Sequence, residues 1–271
     1  KNIKNKDFIE KGKKMINLSL ENKNFYVAID FDKTITSYKS PDSWASVAQI
    51  KFVGQEIVKE MDELYEKYRP IEMDYSISTN DKQIYMKKWY EDCMDLYHKY
   101  NLTEQKMHQS IQSSNMYFRS GAKEFLELMY KNDIPVVILS AGIGNAIKQF
   151  LNDNNCLLEN MYIISNFIEF DKNGKAKKFD NSKIIHTLNK NMKGHLPKKF
   201  EEKLVDKKYR LLVGDLIEDI KMVDENELDR TLKIGFLEDN IENNLEIYKK
   251  YFDVVLQGEE ATFYKIVKLI V

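Results

Sequence analysis

Two hydrophobic patterns alternate along the chain. Residues 25–29 (FYVAI) form an apolar run with no helical stripe, which predicts a strand buried on both faces. Residues 136–139, 161–165, 210–214 and 232–236 read the same way, and 253–256 adds a short edge strand. Between them, 121–132, 146–152 and 240–251 repeat apolar residues at three and four, as amphipathic helices do. Strands alternating with helices predict an α/β fold built on a Rossmann-like parallel sheet covered on both faces. One long stretch departs from this rule. Residues 43–113 contain no strand-like run, while 55–68 and 81–100 carry the helical spacing, so an all-helical insert is expected. The division that follows is a core of residues 1–40 and 119–271 with an insert of residues 41–118. Residues 7–20 are expected to form a packing helix ahead of the first strand. The Asn173-Gly174 pair within 167–179 predicts a β-hairpin beside the strand ends.

The polar residues that end the apolar runs carry the chemistry. The first run stops at two acids, Asp30 and Asp32, which as residues two apart in an extended chain face the same side. Open parallel sheets place ligands beyond the carboxyl ends of their strands. Taken alone, the pair is equally well read as capping whatever follows the strand. Two further strand ends change the balance. LLVGDLIED brings Asp215 to a strand end with Asp219 four residues on, and VVILSAG ends in Ser140 followed by the small pair Ala141-Gly142. Acid, acid and hydroxyl at three strand ends are hard to explain by packing.

Composition narrows the choice. With 271 residues and 43% hydrophobic content, the chain can bury a large core. A net charge of −1 with both signs interspersed leaves no basic face for a nucleic-acid polymer. Two cysteines, Cys93 and Cys156, are too few for a disulfide framework and fit a reducing compartment. No apolar run approaches a membrane span, and the charged opening is not a secretory signal. A soluble, cytoplasmic monomer is the expectation.

If the four aspartates converge, each close pair repels by roughly 4 kcal/mol at about 4 Å and an effective dielectric near 20, so the cluster needs a cation. The donors are all oxygen and the four histidines are scattered, which favours a hard ion such as Mg²⁺ over zinc. Such ions commonly hold phosphate oxygens, and a carboxylate can attack phosphorus to form an aspartyl-phosphate. Asp30, last in its strand, is placed as nucleophile, with Asp32 as general acid and base. Ser140 and the backbone N–H groups ahead of the next helix could receive the phosphate. Spacing alone does not choose among the lysines.

DFDKT, LSAG and GDLIED together resemble the haloacid dehalogenase superfamily of phosphotransferases. More closely, SAGIGNAIKQFL, ISNFIEFDKNGKAKKF, HTLNKN and VGDLIEDIKM are similar to the cytosolic pyrimidine 5'-nucleotidases of type III, over nearly the whole chain from about residue 24. The resemblance implies Asp30 as nucleophile and Asp32 as acid/base. It implies Mg²⁺ on Asp30, the Asp32 backbone carbonyl and Asp215 with Asp219 in support, and phosphate on Ser140, Ala141 and Lys190. It makes the insert a cap over the site, with Glu72 of YRPIEMD reading the base and Tyr90 of the WY pair flanking it. At Cys93 the sequence departs from the family pattern, where a Ser is expected to touch the nucleotide, and base preference rests on that difference. Without the resemblance, Glu72 reads as a solvated loop acid and Trp89 and Tyr90 as helix packing. The implied activity is Mg²⁺-dependent hydrolysis of pyrimidine nucleoside 5'-monophosphates (UMP, CMP). The alternatives are a phosphatase of the same superfamily acting on 7-methylguanosine monophosphate or another small phosphate ester, and a non-catalytic nucleotide-binding protein.

Overall fold

In the computed structural model, residues 20, 21, 23–74, 76–192 and 194–271 are described. The helix expected over residues 7–20 thus lies, but for its last residue, outside the described residues. Six strands form one sheet among the described residues: β1 (Phe25–Ile29), β2 (Val136–Ile143), β3 (Met161–Asn166), β4 (Tyr209–Gly214), β5 (Thr231–Leu237) and β6 (Val254–Gln257). Their order is β3-β2-β1-β4-β5-β6 and every pairing is parallel. The chain leaves β1 toward β2 on one side and later returns to β4 on the other. The point where the order reverses lies at the carboxyl end of β1, where such sheets open a crevice.

Alternation within β1 builds the two layers that cover the sheet. Phe25, Val27 and Ile29 pack with Phe125, Leu126 and Met129 of α6 (Ala122–Lys131) and with Phe263, Ile266 and Ile270 of α10 (Phe263–Ile270). Tyr26 and Ala28 face the other way, toward Phe200 of α8 (Lys198–Val205) and Tyr248 of α9 (Ile241–Tyr251). Between β2 and β3 the chain forms α7 (Gly144–Asp153).

Five helices lie between β1 and α6: α1 (Ser43–Val47), α2 (Ile50–Val53), α3 (Gln55–Met73), α4 (Thr79–Lys99) and α5 (Glu104–Ser113). Side-chain caps begin three of them. Asp42 accepts from Ala45 N at 2.7 Å, Ser78 from Asp81 N at 3.2 Å, and Thr103 from Lys106 N at 3.3 Å. Helix α3 runs past its expected end at residue 68 and through Pro70 to Met73. Proline deprives only the carbonyl of Glu66 of its partner, and Glu66 is exposed to water. That extra turn puts Glu72 on a helix rather than in a loop.

The expected hairpin is reduced to a single bridge, Phe170 with Ala176. Of the Asn173-Gly174 pair only Gly174 has a left-handed φ, +71°, so the turn is not the mirror-image type that the pair usually signals. The Asp171 carboxylate instead organises the turn, accepting from Asn173 N at 2.8 Å and Lys175 N at 3.0 Å. The hairpin leans on the helical insert, with Ala176 N donating to Leu102 O at 2.8 Å.

Candidate active site

Asp30 closes β1, and its backbone N–H still donates to Val213 O of β4 at 3.0 Å. The chain then turns tightly. Thr36 N donates to Phe31 O at 3.1 Å, Lys33 takes a left-handed φ of +58°, and its N–H donates to Thr36 Oγ1 at 2.9 Å. A lysine held there stores about 1 kcal/mol or more of backbone strain, so something must hold the turn. Arg119, 3% exposed, does so: Nε donates to Thr34 O at 2.9 Å and Nη2 donates to Lys33 O. Its Nη1 reaches Ala261 O at 2.9 Å and Glu238 at 2.6 Å, and the guanidinium lies 4.0 Å from the centre of the Phe236 ring.

Three carboxylates converge at these strand ends. Oxygens of Asp30, Asp215 and Asp219 lie within 4.8 Å of one another. Lys190 is buried among them, 2.7 Å from Asp30 Oδ1 and 2.8 Å from Asp219 Oδ1. Asp219 spends its other oxygen on the backbone N–H groups of Asp215, at 3.1 Å, and Leu216, at 3.0 Å. Gly214 makes room for that arrangement, since a Cβ there would sit 2.4 Å from Asp219 Oδ2. Asp215 accepts one long hydrogen bond, 3.3 Å from Thr34 Oγ1, and its carbonyl accepts from Tyr248 Oη at 2.6 Å.

Three acids outnumber one lysine, so full ionisation of the cluster would leave a double negative charge, which burial opposes. Burial, Asp30 and Asp219 push the Asp215 carboxyl well above the usual carboxylate range. Burial raises Asp30 to about 6 even against the pull of Lys190. For Lys190 itself, burial works against the charge, but Asp219 and Asp30 outweigh it and hold the ammonium. An all-oxygen cluster short of positive charge is what a hard divalent cation satisfies.

The expected convergence of four carboxylates needs correction. Asp32 turns its side chain toward α1, where Oδ1 accepts from Ser43 N at 2.8 Å and Oδ2 from Ser43 Oγ at 2.6 Å. Burial and the charge of Asp42 raise the Asp32 carboxyl to about 8 despite the Ser43 bonds, so it holds a proton at neutral pH.

Strand β2 extends through the SAG segment, and its register with β3 breaks between Leu139 and Ile143. The side chain of Asn166 fills the gap by donating to the carbonyls of Ala141, at 3.0 Å, and Ile185, at 2.8 Å. Ser140 Oγ accepts from Gly142 N at 3.0 Å, leaving its O–H to donate elsewhere. Gly142 lies where no side chain fits: a Cβ would fall 1.9 Å from Ser43 Oγ, 2.6 Å from Asp32 Oδ2 and 3.1 Å from Ser140 Oγ. Three candidate groups thus crowd one glycine.

A cleft of about 520 Å³ runs from Asp215 and Lys33 to Glu72, Arg69, Lys82 and Thr187. Within it Glu72 Oε1 accepts from Thr187 Oγ1 at 3.2 Å and Oε2 pairs with Arg69. Tyr90 packs edge-on against Trp44 at 5.5 Å and Trp89 at 5.9 Å, with the His186 ring 6.3 Å away. Cys93 is buried in α4, its thiol pushed up to about 12 by burial; like Tyr90, Asp30, Ser140 and Lys190, it is not among the residues lining the cleft. A second concavity, of about 680 Å³, lies on the charged outer side of α3 and α4 and contains none of these groups.

Ser43, Arg119, Thr187 and Arg69 were not expected from the sequence. Ser43 follows Pro41-Asp42 and reads only as the start of a helix, and Thr187 precedes Lys190 in a loop without periodicity.

A Rossmann-like sheet with an acidic cluster, a buried lysine and a hydroxyl at its central strand ends defines a haloacid dehalogenase-type phosphatase. Residues 31–271 match the model of the pyrimidine 5'-nucleotidase (UMPH-1) family, and the chain belongs to that family of phosphate monoester hydrolases. The match begins one residue after Asp30. The 7-methylguanosine phosphate-specific 5'-nucleotidase of Mus musculus is 31% identical over 241 residues, 87% of this chain and 80% of that protein. A putative cytosolic 5'-nucleotidase 3 of Caenorhabditis elegans is 31% identical over 209 residues, 75% of this chain and 54% of that protein. Among solved structures, cytosolic 5'-nucleotidase IIIB bound to cytidine superposes with a TM-score of 0.79 at 27% identity, covering 97% of this chain and 88% of the other. A substrate-bound phosphoserine phosphatase, at a TM-score of 0.58 and 18% identity over 92% of this chain and 98% of its own, shares the fold. No helix among the described residues is long and apolar enough to cross a membrane.

Proposed function

We propose that this protein hydrolyses pyrimidine nucleoside 5'-monophosphates such as UMP and CMP, with Asp30 as the nucleophile toward phosphorus. The observation that carries the reading is the contact of Lys190 with both Asp30 and Asp219 beside Asp215, at one end of a cleft that also reaches Glu72. Asp30, Asp215 and the backbone carbonyl of Asp32 would hold Mg²⁺, with Asp219 fixed behind them by its two N–H bonds and Lys190. When bound, the ion neutralises the carboxylates and the phosphoryl oxygens they face.

Asp30 attacks phosphorus in line with the nucleoside oxygen, forming one P–O bond as the other breaks. Asp32, protonated in its ground state, gives its proton to the leaving alkoxide and then takes one from the water that cleaves the aspartyl-phosphate. Ser43 holds the carboxyl of Asp32 through both oxygens. Ser140 O–H, the backbone at Ala141 and Lys190 receive the phosphoryl oxygens. Helices α3 and α4 form a cap, with Glu72 accepting from the base edge and Tyr90 flanking the ring; Cys93 supports the helix rather than touching the base.

A second reading, 7-methylguanosine monophosphate as substrate, is favoured by the name and the 31% identity of the mouse relative. A non-catalytic nucleotide binder is opposed by the complete set Asp30, Asp32, Lys190 and Asp215. Phosphate release from UMP, CMP, 7-methylguanosine monophosphate and p-nitrophenyl phosphate tests these readings. Release is expected to stop with EDTA, and with Asp30→Asn while nucleotide binding survives. Turnover of UMP and CMP no faster than p-nitrophenyl phosphate removes the pyrimidine assignment, and Mg²⁺-independent release removes the chemistry.

A further inference from the structure

Granted that the cleft takes a nucleoside monophosphate, as proposed above, the geometry points to Arg69 as the residue that sets which base charge is accepted. Guanine methylated at N7 carries a formal positive charge, whereas uracil and cytosine are neutral. A solitary carboxylate would attract the cationic base. Glu72 is not solitary: Oε2 pairs with the Arg69 guanidinium, Oε1 accepts from Thr187 Oγ1 at 3.2 Å, and its backbone carbonyl accepts from Lys82 Nζ at 2.8 Å. All of these groups line the cleft. The Arg69 guanidinium therefore compensates the Glu72 carboxylate, and a cationic base meets an ion pair there rather than a free anion.

A neutral pyrimidine meets a donor and an acceptor side by side, guanidinium N–H and carboxylate oxygen, which suits an edge carrying both a carbonyl or ring nitrogen and an N–H. A cationic base gains from Glu72 and is repelled by Arg69. The pair is placed by the helix itself, since positions three apart on α3 share a face. Arg69 has 43% of its side chain exposed and Glu72 15%, so water screens the repulsion in part and the discrimination is about tenfold rather than thousandfold. Arg69 thus selects against 7-methylguanosine monophosphate and leaves UMP and CMP unpenalised.

The test is the ratio of kcat/KM for 7-methylguanosine monophosphate to that for CMP, at mildly acidic pH where the methylated base keeps its N1 proton. Arg69→Gln is expected to raise the ratio about tenfold, equivalent to about 1.4 kcal/mol, and Arg69→Lys to leave it near the parent value. Added salt, which needs no variant, is expected to raise the ratio in the parent protein and not in Arg69→Gln. A ratio in Arg69→Gln within about twofold of the parent, or an Arg69→Lys that behaves like Arg69→Gln, overturns the role of charge. A parent enzyme that hydrolyses p-nitrophenyl phosphate but neither nucleotide overturns the nucleotide reading itself, and this assignment with it.

Discussion

Ser43 is the residue that holds Asp32, the proposed acid/base group. Its hydroxyl donates to Asp32 at 2.6 Å while accepting from Ile143 N at 3.0 Å, so one side chain ties the turn after β1 to the end of β2. Ser43→Ala is expected to lower kcat about a hundredfold with little change in KM, because Asp32 loses its orientation rather than its presence. Steady-state kinetics decide it, and an unchanged kcat removes the role. Gly142→Ala is expected to be as damaging, since the new methyl falls within the contact distance of Asp32 and Ser43. Arg119 acts on the other side of the same turn. Arg119→Met strands two backbone carbonyls of that turn and buries Glu238 without its partner, and is expected to cost about 3 kcal/mol in urea unfolding. Asp30 and Asp215 were legible because an acid ending an apolar run breaks a pattern. Ser43 and Arg119 were not, because a serine near a helix start and an arginine before a helix break none.

At the scale of elements, the segment from Ile184 to Lys190 delivers two functional side chains, Thr187 and Lys190, without regular structure. Its shape depends on a neutral imidazole. His186 Nδ1 accepts from Leu188 N at 3.2 Å, and the His186 backbone N–H donates to Asn189 Oδ1 at 2.7 Å. Burial, with Lys221 and Lys87 nearby, depresses His186 to about 4. A histidine that charges more readily when unfolded removes stability as pH falls from about 6.5 to about 4, here by about 3 kcal/mol, and has no effect above that window. Urea unfolding of the parent and of His186→Gln across that range is expected to differ in slope; parallel curves refute the linkage. The strands were readable to within a residue or two at most ends, β2 excepted. Its extension past Leu139 rests on Asn166 supplying the bonds that a regular partner strand would, a tertiary substitution that periodicity does not register. The hairpin is short for a related reason, as Asp171 captured the turn that Asn173-Gly174 was expected to direct.

For the whole molecule, the insert does not own a separate core. Val47 of α1, Met94 and Tyr97 of α4, and Met107 and Ile111 of α5 pack in one cluster with Ile143 and Ala146 at the end of β2 and the start of α7, and with Ile168 and Ile184. The buried area is thus shared across what the sequence presents as two units. Thermal unfolding is expected to be a single transition with equal calorimetric and van't Hoff enthalpies, whereas an independent cap gives two. The end of α3 bearing Tyr68 and Glu72 and the start of α4 at Met86 have a lighter attachment to the core loop, through Leu188 packed with Tyr68 and Met86 and through the Glu72–Thr187 bond. Helical periodicity reveals such an insert readily, but which of its helices are anchored depends on contacts between residues far apart in the chain.

Lys190 has a consequence that extends beyond the resting state. Its nitrogen already sits out of water between two carboxylates, so no solvent shell has to be stripped from it during turnover. In the proposed mechanism Asp30 gives up its negative charge on forming the aspartyl-phosphate, and the ammonium would keep Asp219 on one side and meet the phosphoryl oxygen on the other. One fixed cation therefore accompanies the charge as it moves from carboxylate to phosphate, with the cost of its desolvation met when the chain folds.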